Sequence, residues 1–158
     1  MRTYNTNKQG NKSCWKNTAM IRKNYKDFNI DEMIYLKSCI NKLDIDQIRV
    51  TNHFAAKSLI SIREVKLLIL KRAFDIIDYN YFLNTKEERV MIRFKKTFTT
   101  RNNEGYIQQC YLKIVISINE NVLVTSWMNK VEDEEMKQRN LKTNYNNKFD
   151  IIKKVVNF

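Results

Sequence analysis

The chain has 158 residues, 43% of them apolar, which is the size of one ordinary domain and enough hydrophobic mass for a real core. Its 29 Lys and Arg against 17 Asp and Glu give a net charge of +12, which favours polyanionic partners and argues nothing about fold. Two glycines and no proline exclude a phosphate-cradling glycine loop, and one histidine with three distant cysteines excludes a usual zinc site.

In chain order, residues 1–26 hold seven basic residues and no acid. Residues 1–25 lack clear periodicity, and 1–28 read as a basic arm or tail, with Trp15 available to dock it. The arm is rich in Asn and Lys rather than Arg and Ser, which argues against a transit signal, and no signal-peptide core or membrane-length apolar run follows. Cys14, Cys39 and Cys110 are odd in number and far apart, so they read as reduced thiols of a cytoplasmic protein.

Asn29 to Leu43 reads as a helix: Asn29 is a fitting N-cap, Asp31 and Glu32 sit in the first turn, and Ile34, Leu36, Ile40 and Leu43 are apolar. A brief second helix over Thr51–Leu59 would be capped by Thr51 or Asn52. Ser61-Ile62-Arg63-Glu64 matches a capping box, and Val65, Leu68, Ile69, Ala73, Ile76 and Ile77 then carry a helical period to about Asp78–Asn80.

The period next changes to two. Val90, Ile92, Phe94 and Phe98 alternate with Arg93, Lys95 and Thr97 as a strand with one buried and one basic face. Turns at Asn102–Gly105 and Asn119–Asn121 lead into strands over Leu112–Ile118 and Val122–Trp127. Residues 131–140 and 149–158 read as short helical segments. The expected fold is α+β: N-terminal helices, then a three-stranded antiparallel meander, then short C-terminal helices, with 29–158 as a single domain.

The chemistry-bearing inventory is small. His53, the only histidine, has a side chain suited to taking a proton from a ribose 2′-hydroxyl, and Lys57 lies one helical turn on as a cation for phosphate oxygens. The bland alternative is a surface or capping histidine. Arg89, Arg93, Lys95, Lys96 and Arg101 on or near the first strand form either a solvated face or a phosphate-binding surface, with Tyr106 and Tyr111 able to stack on bases. Thr125 and Ser126 could bond a phosphate, and Trp127 either stacks on a base or fills the core.

The run Thr51-Asn52-His53-Phe54-Ala55-Ala56-Lys57, with Leu59-Ile60-Ser61-Ile62-Arg63-Glu64-Val65 and the ending Val122-Leu123-Val124-Thr125-Ser126-Trp127, resembles small bacterial and phage nucleases. These form the barnase–EndoU–colicin–RelE-like superfamily, and the likeness spans about residues 50–128. Leu59-Ile60 stands where the family has glycine. The resemblance implies a nuclease-like core in which His53 is general base or acid, Lys57 takes the place of an arginine, Arg93 or Lys95 binds the scissile phosphate, and Thr125 or Ser126 orients it.

Two functions of different class follow. One is a metal-independent endoribonuclease of toxin type, from a phage or mobile element, that needs no cofactor. The other is a non-catalytic protein that grips nucleic acid or a host nucleoprotein. The expected partner is nucleic acid, chiefly RNA, with a protein inhibitor or host protein also open and no membrane. A third reading, a modulator of a host protein acting through residues 131–140 and the apolar ending, uses the remaining features.

Overall fold

The computed structural model describes residues 19–141 and 148–156. The chain opens with β1 (Met20–Asn24), a 3-10 turn (Tyr25–Asp27) and helix α1 (Ile30–Asn41). β2 (Arg49–Val50), α2 (Asn52–Lys57) and α3 (Ile62–Lys71) follow. Four long strands come next, β3 (Phe74–Phe82), β4 (Glu88–Arg101), β5 (Ile107–Ser117) and β6 (Val122–Lys130). The chain closes with α4 (Val131–Arg139) and a small hairpin of β7 (Phe149–Asp150) and β8 (Val155–Val156).

The strands form a six-stranded mixed sheet in the order β1-β3-β4-β5-β6-β2, in which only β2 and β6 run parallel. This corrects the expected architecture. The class is α+β, but β4, β5 and β6 are the interior of a larger sheet, a strand precedes the helices, and residues 149–156 are a two-stranded ribbon rather than a helix.

Two of the missed strands, β1 and β3, have physical causes. β1 carries Lys23 at a buried position, where its ammonium meets the Glu32 carboxylate at 2.8 Å, so its inward face reads as polar. β3 contains a bulge at Ile77, which places Ile76, Ile77, Asp78 and Tyr79 in succession among buried residues and erases the period of two. The same run fits a helical face, hence the expected extension of α3 to Asp78–Asn80. The helix instead stops at Lys71, because Arg72 turns left-handed at φ 58°.

One core unites the three helices with one face of the sheet. Leu36 and Ile40 of α1, Phe54 of α2, and Val65, Leu68 and Ile69 of α3 pack on Ile76, Tyr79, Ile92, Phe94, Leu112, Ile114 and Leu123. Each such fully buried side chain contributes about 1.5–3 kcal/mol by leaving water. The C-terminal hairpin plugs one end: Phe149 stacks on Tyr79 and Tyr81 with centroids 6.4 and 5.6 Å away.

Glu32 ties these pieces together. Its side chain accepts from the Asn29 amide at 3.0 Å while Asn29 Oδ1 accepts from the Glu32 amide at 2.8 Å, closing a capping box on α1. The same carboxylate takes Lys23 Nζ from β1 and the Ile151 amide from the hairpin. A second carboxylate, Glu88, accepts from the hydroxyls of Tyr35 and Tyr79 and from Lys154 at 3.0 Å. Burial, and then the charge of Glu88, push both phenols well above their ordinary range.

Candidate functional site: a cationic cleft at an open sheet edge

β1 covers β3 only from Asp78 to Phe82, so the edge of β3 from Phe74 to Ile77 is left uncovered by β1. A cleft of about 530 Å³ opens there. Met33, Lys37 and Asn41 of α1 line it together with Tyr25, the β3 edge from Phe74 to Ile77, and Arg72, Arg93, Lys95 and Gln138. Four cations and a single acid, Asp75, border this one space.

Helical spacing explains the α1 wall, since Met33, Lys37 and Asn41 lie one turn apart on one face. Arg72 reaches the rim from its left-handed cap, a conformation costing roughly 1–2 kcal/mol for a side-chain-bearing residue. Lys95 stands where β4 breaks register with β5, and its amide bonds to Ala73 O at 3.0 Å. Among the described residues, the side chains of Lys37, Arg72 and Lys95 have no hydrogen-bond or carboxylate partner.

Arg93 is held differently. Its Nη1 donates to Glu134 Oε2 at 3.1 Å, its plane lies over Tyr111 at 5.0 Å, and Nη2 reaches Asp75 Oδ2 at 3.5 Å. Glu134 of α4 is fully buried against the sheet face opposite the core, where it also accepts from Lys113 at 2.9 Å, Asn129 at 3.2 Å and Gln138 at 2.9 Å. Burial works against the Glu134 charge, but the hydrogen bond and charge of Lys113, aided by Asn129 and Gln138, outweigh it and leave the pKa below its ordinary value. Burial also lowers the Lys113 pKa, against the pull of Glu134.

The other candidates are dispersed. His53 and Lys57 are exposed on α2, and neither borders the cleft. His53 makes no hydrogen bond or ion pair among the described residues. Its helix is anchored by Thr51, whose Oγ1 accepts from the Phe54 amide at 3.0 Å and donates to Val124 O at 2.6 Å. Thr125 and Ser126 face opposite sides of β6: Ser126 is buried beside Ile114 on the core face with its hydroxyl unpartnered, while Thr125 pairs with Val115.

Arg89 pairs with Glu87 at 2.8 Å and lies over Phe82. Lys96 sits 3.8 Å from Glu64 and over Phe98. Arg101 donates to Gly105 O in the β4–β5 turn, where Tyr106 is exposed, and Trp127 lies under the Lys113 ammonium at 5.5 Å. The arrangement thus brings Arg93 and Lys95 together, but not with His53.

Lys37, Asn41, Arg72 and Gln138 escaped the sequence reading, because only the tertiary fold brings three helices and the β3 edge to one place. Compared with protein-family models, with curated proteins and with solved structures, the chain matches none.

Proposed function

We propose that the protein is a non-catalytic nucleic-acid-binding protein that takes single-stranded RNA into the cationic cleft. The observation that carries this reading is the trio of unpaired cations, Lys37, Arg72 and Lys95, around one cleft that also holds Arg93. Unpaired cations give up no intramolecular partner when they meet phosphate, whereas paired ones must first break a bond.

The size favours an unpaired strand. About 530 Å³ is typical of a site for a small ligand, so it admits a nucleotide or two and not a duplex. RNA is recognised mainly through such splayed, unpaired segments, and Tyr25 and Phe74 supply aromatic surface at the cleft. Catalysis is left out of the proposal because the histidine stands apart from these cations.

The test is fluorescence anisotropy with a labelled single-stranded oligoribonucleotide, together with recovery of that RNA after incubation in EDTA. Binding should weaken about tenfold in Lys95→Ala, in line with roughly 1–2 kcal/mol for a charge-assisted contact, and stay nearly constant in Arg89→Ala. The RNA should remain intact with wild type and with His53→Ala. Cleavage that disappears in His53→Ala would restore the nuclease reading, and binding indifferent to Lys95 would end this one.

A further inference from the structure

We propose that the cleft recognises a terminal phosphate, and that Asp75 holds that group's place on Arg93. This rests on the cleft being the nucleic-acid site proposed above.

The two carboxylates on Arg93 are unlike. Glu134 has no exposed side-chain surface and holds Nη1 at 3.1 Å within a network of four donors. Asp75 is 48% exposed and meets Nη2 at 3.5 Å, the outer limit of a hydrogen bond. Such a half-exposed, long contact is easily given up. Arg93 is therefore fixed in direction by Glu134 and Tyr111, while its Nη2 edge carries a loose, displaceable anion that borders the same cleft.

The charge around that edge exceeds what an internal phosphodiester requires. A diester carries one negative charge, and a terminal monoester carries about 1.5–2 with three acceptor oxygens. Lys37, Arg72 and Lys95 border the same cleft as Arg93, and Asp75 is the one acid among them. A dianion that displaces Asp75 from Nη2 would gain a guanidinium already oriented and three further cations.

Terminal phosphates occur on the 5′ end of a strand and on free nucleotides, and the measurement separates them. Dissociation constants are taken for one oligoribonucleotide with a 5′-phosphate and with a 5′-hydroxyl, on wild type, Asp75→Asn, Arg72→Gly and Glu104→Gln. Wild type should prefer the phosphorylated strand about tenfold, as expected for one charge-assisted contact. Asp75→Asn should widen that ratio several-fold, whereas Glu104→Gln, which removes an exposed acid in the distant β4–β5 turn, should shift both strands alike. Competition by ADP would identify a free nucleotide as a sufficient ligand; its absence would assign the site to strand ends. A ratio near one, or a ratio unchanged in Asp75→Asn, overturns the inference even if Arg72→Gly weakens both strands. If Arg72→Gly weakens neither, the nucleic-acid reading of the cleft fails instead.

Discussion

Two groups of cations in this molecule have opposite surroundings. On the outer sheet face, Arg22 meets Asp78 at 2.9 Å, Arg89 meets Glu87 at 2.8 Å, and Lys113 meets Glu134 at 2.9 Å. At the cleft rim, Lys37, Arg72 and Lys95 have no carboxylate within reach among the described residues. Both groups count equally toward the net charge, yet the first holds the fold together and the second is available to a ligand. Pairing, more than the charge total, separates these two groups, and Arg93, held by Glu134 yet bordering the cleft, stands between them.

Removing the carboxylate at the centre of the first group is the strongest way to probe this contrast. Glu134→Gln leaves the Lys113 ammonium buried without its counter-ion, which should cost about 3–5 kcal/mol in urea unfolding. Adding Lys113→Met should recover much of that loss. The pH dependence has a fixed direction. The folded pKa of Glu134 lies below its ordinary 4.5, so its stabilisation is in place above that value and is lost as pH falls through the folded pKa. Wild type should show an acid-limb loss that Glu134→Gln lacks.

A smaller effect is expected at the opposite pH extreme. Burial and the Glu88 charge keep Tyr35 and Tyr79 protonated in the folded chain, while the unfolded phenols ionise near 10. Stability should fall as pH rises past that value, and Tyr79→Phe should flatten the slope while costing about 1–2 kcal/mol at neutral pH. Urea midpoints measured from pH 8 to 10.5 would read both.

Cleft and surface changes should hardly touch stability. Arg72→Gly relieves a left-handed conformation but adds unfolded-state freedom, so the two nearly cancel to within about 1 kcal/mol. Arg49→Ala breaks two exposed contacts with Glu120, a 3.2 Å hydrogen bond to its carbonyl and a 3.9 Å approach to its carboxylate, and should shift stability by less than about 0.5 kcal/mol. A large loss in either variant would blur the distinction between binding and structural cations.

The sequence revealed what depends on neighbours along the chain. The Asn29 cap, the Ser61 cap and the alternation through Val90, Ile92 and Phe94 are local signals, and each marks a real element. It concealed what depends on pairing at a distance. Lys23 makes β1 look polar because its partner Glu32 lies on another element, and the Ile77 bulge gives β3 the look of a helix. For the site, Arg93 and Lys95 were legible from the basic face of β4. Lys37 and Arg72 were not, since nothing along the chain tells an unpaired lysine or arginine from a paired one. No membrane-crossing run was found in the sequence, and no described helix is long and apolar enough to cross a bilayer.

The central claim, that the unpaired rim cations meet phosphate, is tested most directly by the salt dependence of RNA binding. The slope of log affinity against log salt is measured for wild type, for the Arg72→Gly, Lys95→Ala double variant, and for Arg89→Ala. Each phosphate contact on a single strand contributes about 0.7 to that slope, so the double variant should lose roughly 1.4 and Arg89→Ala almost nothing. Equal slopes in all three proteins, or a loss confined to Arg89→Ala, would contradict the account.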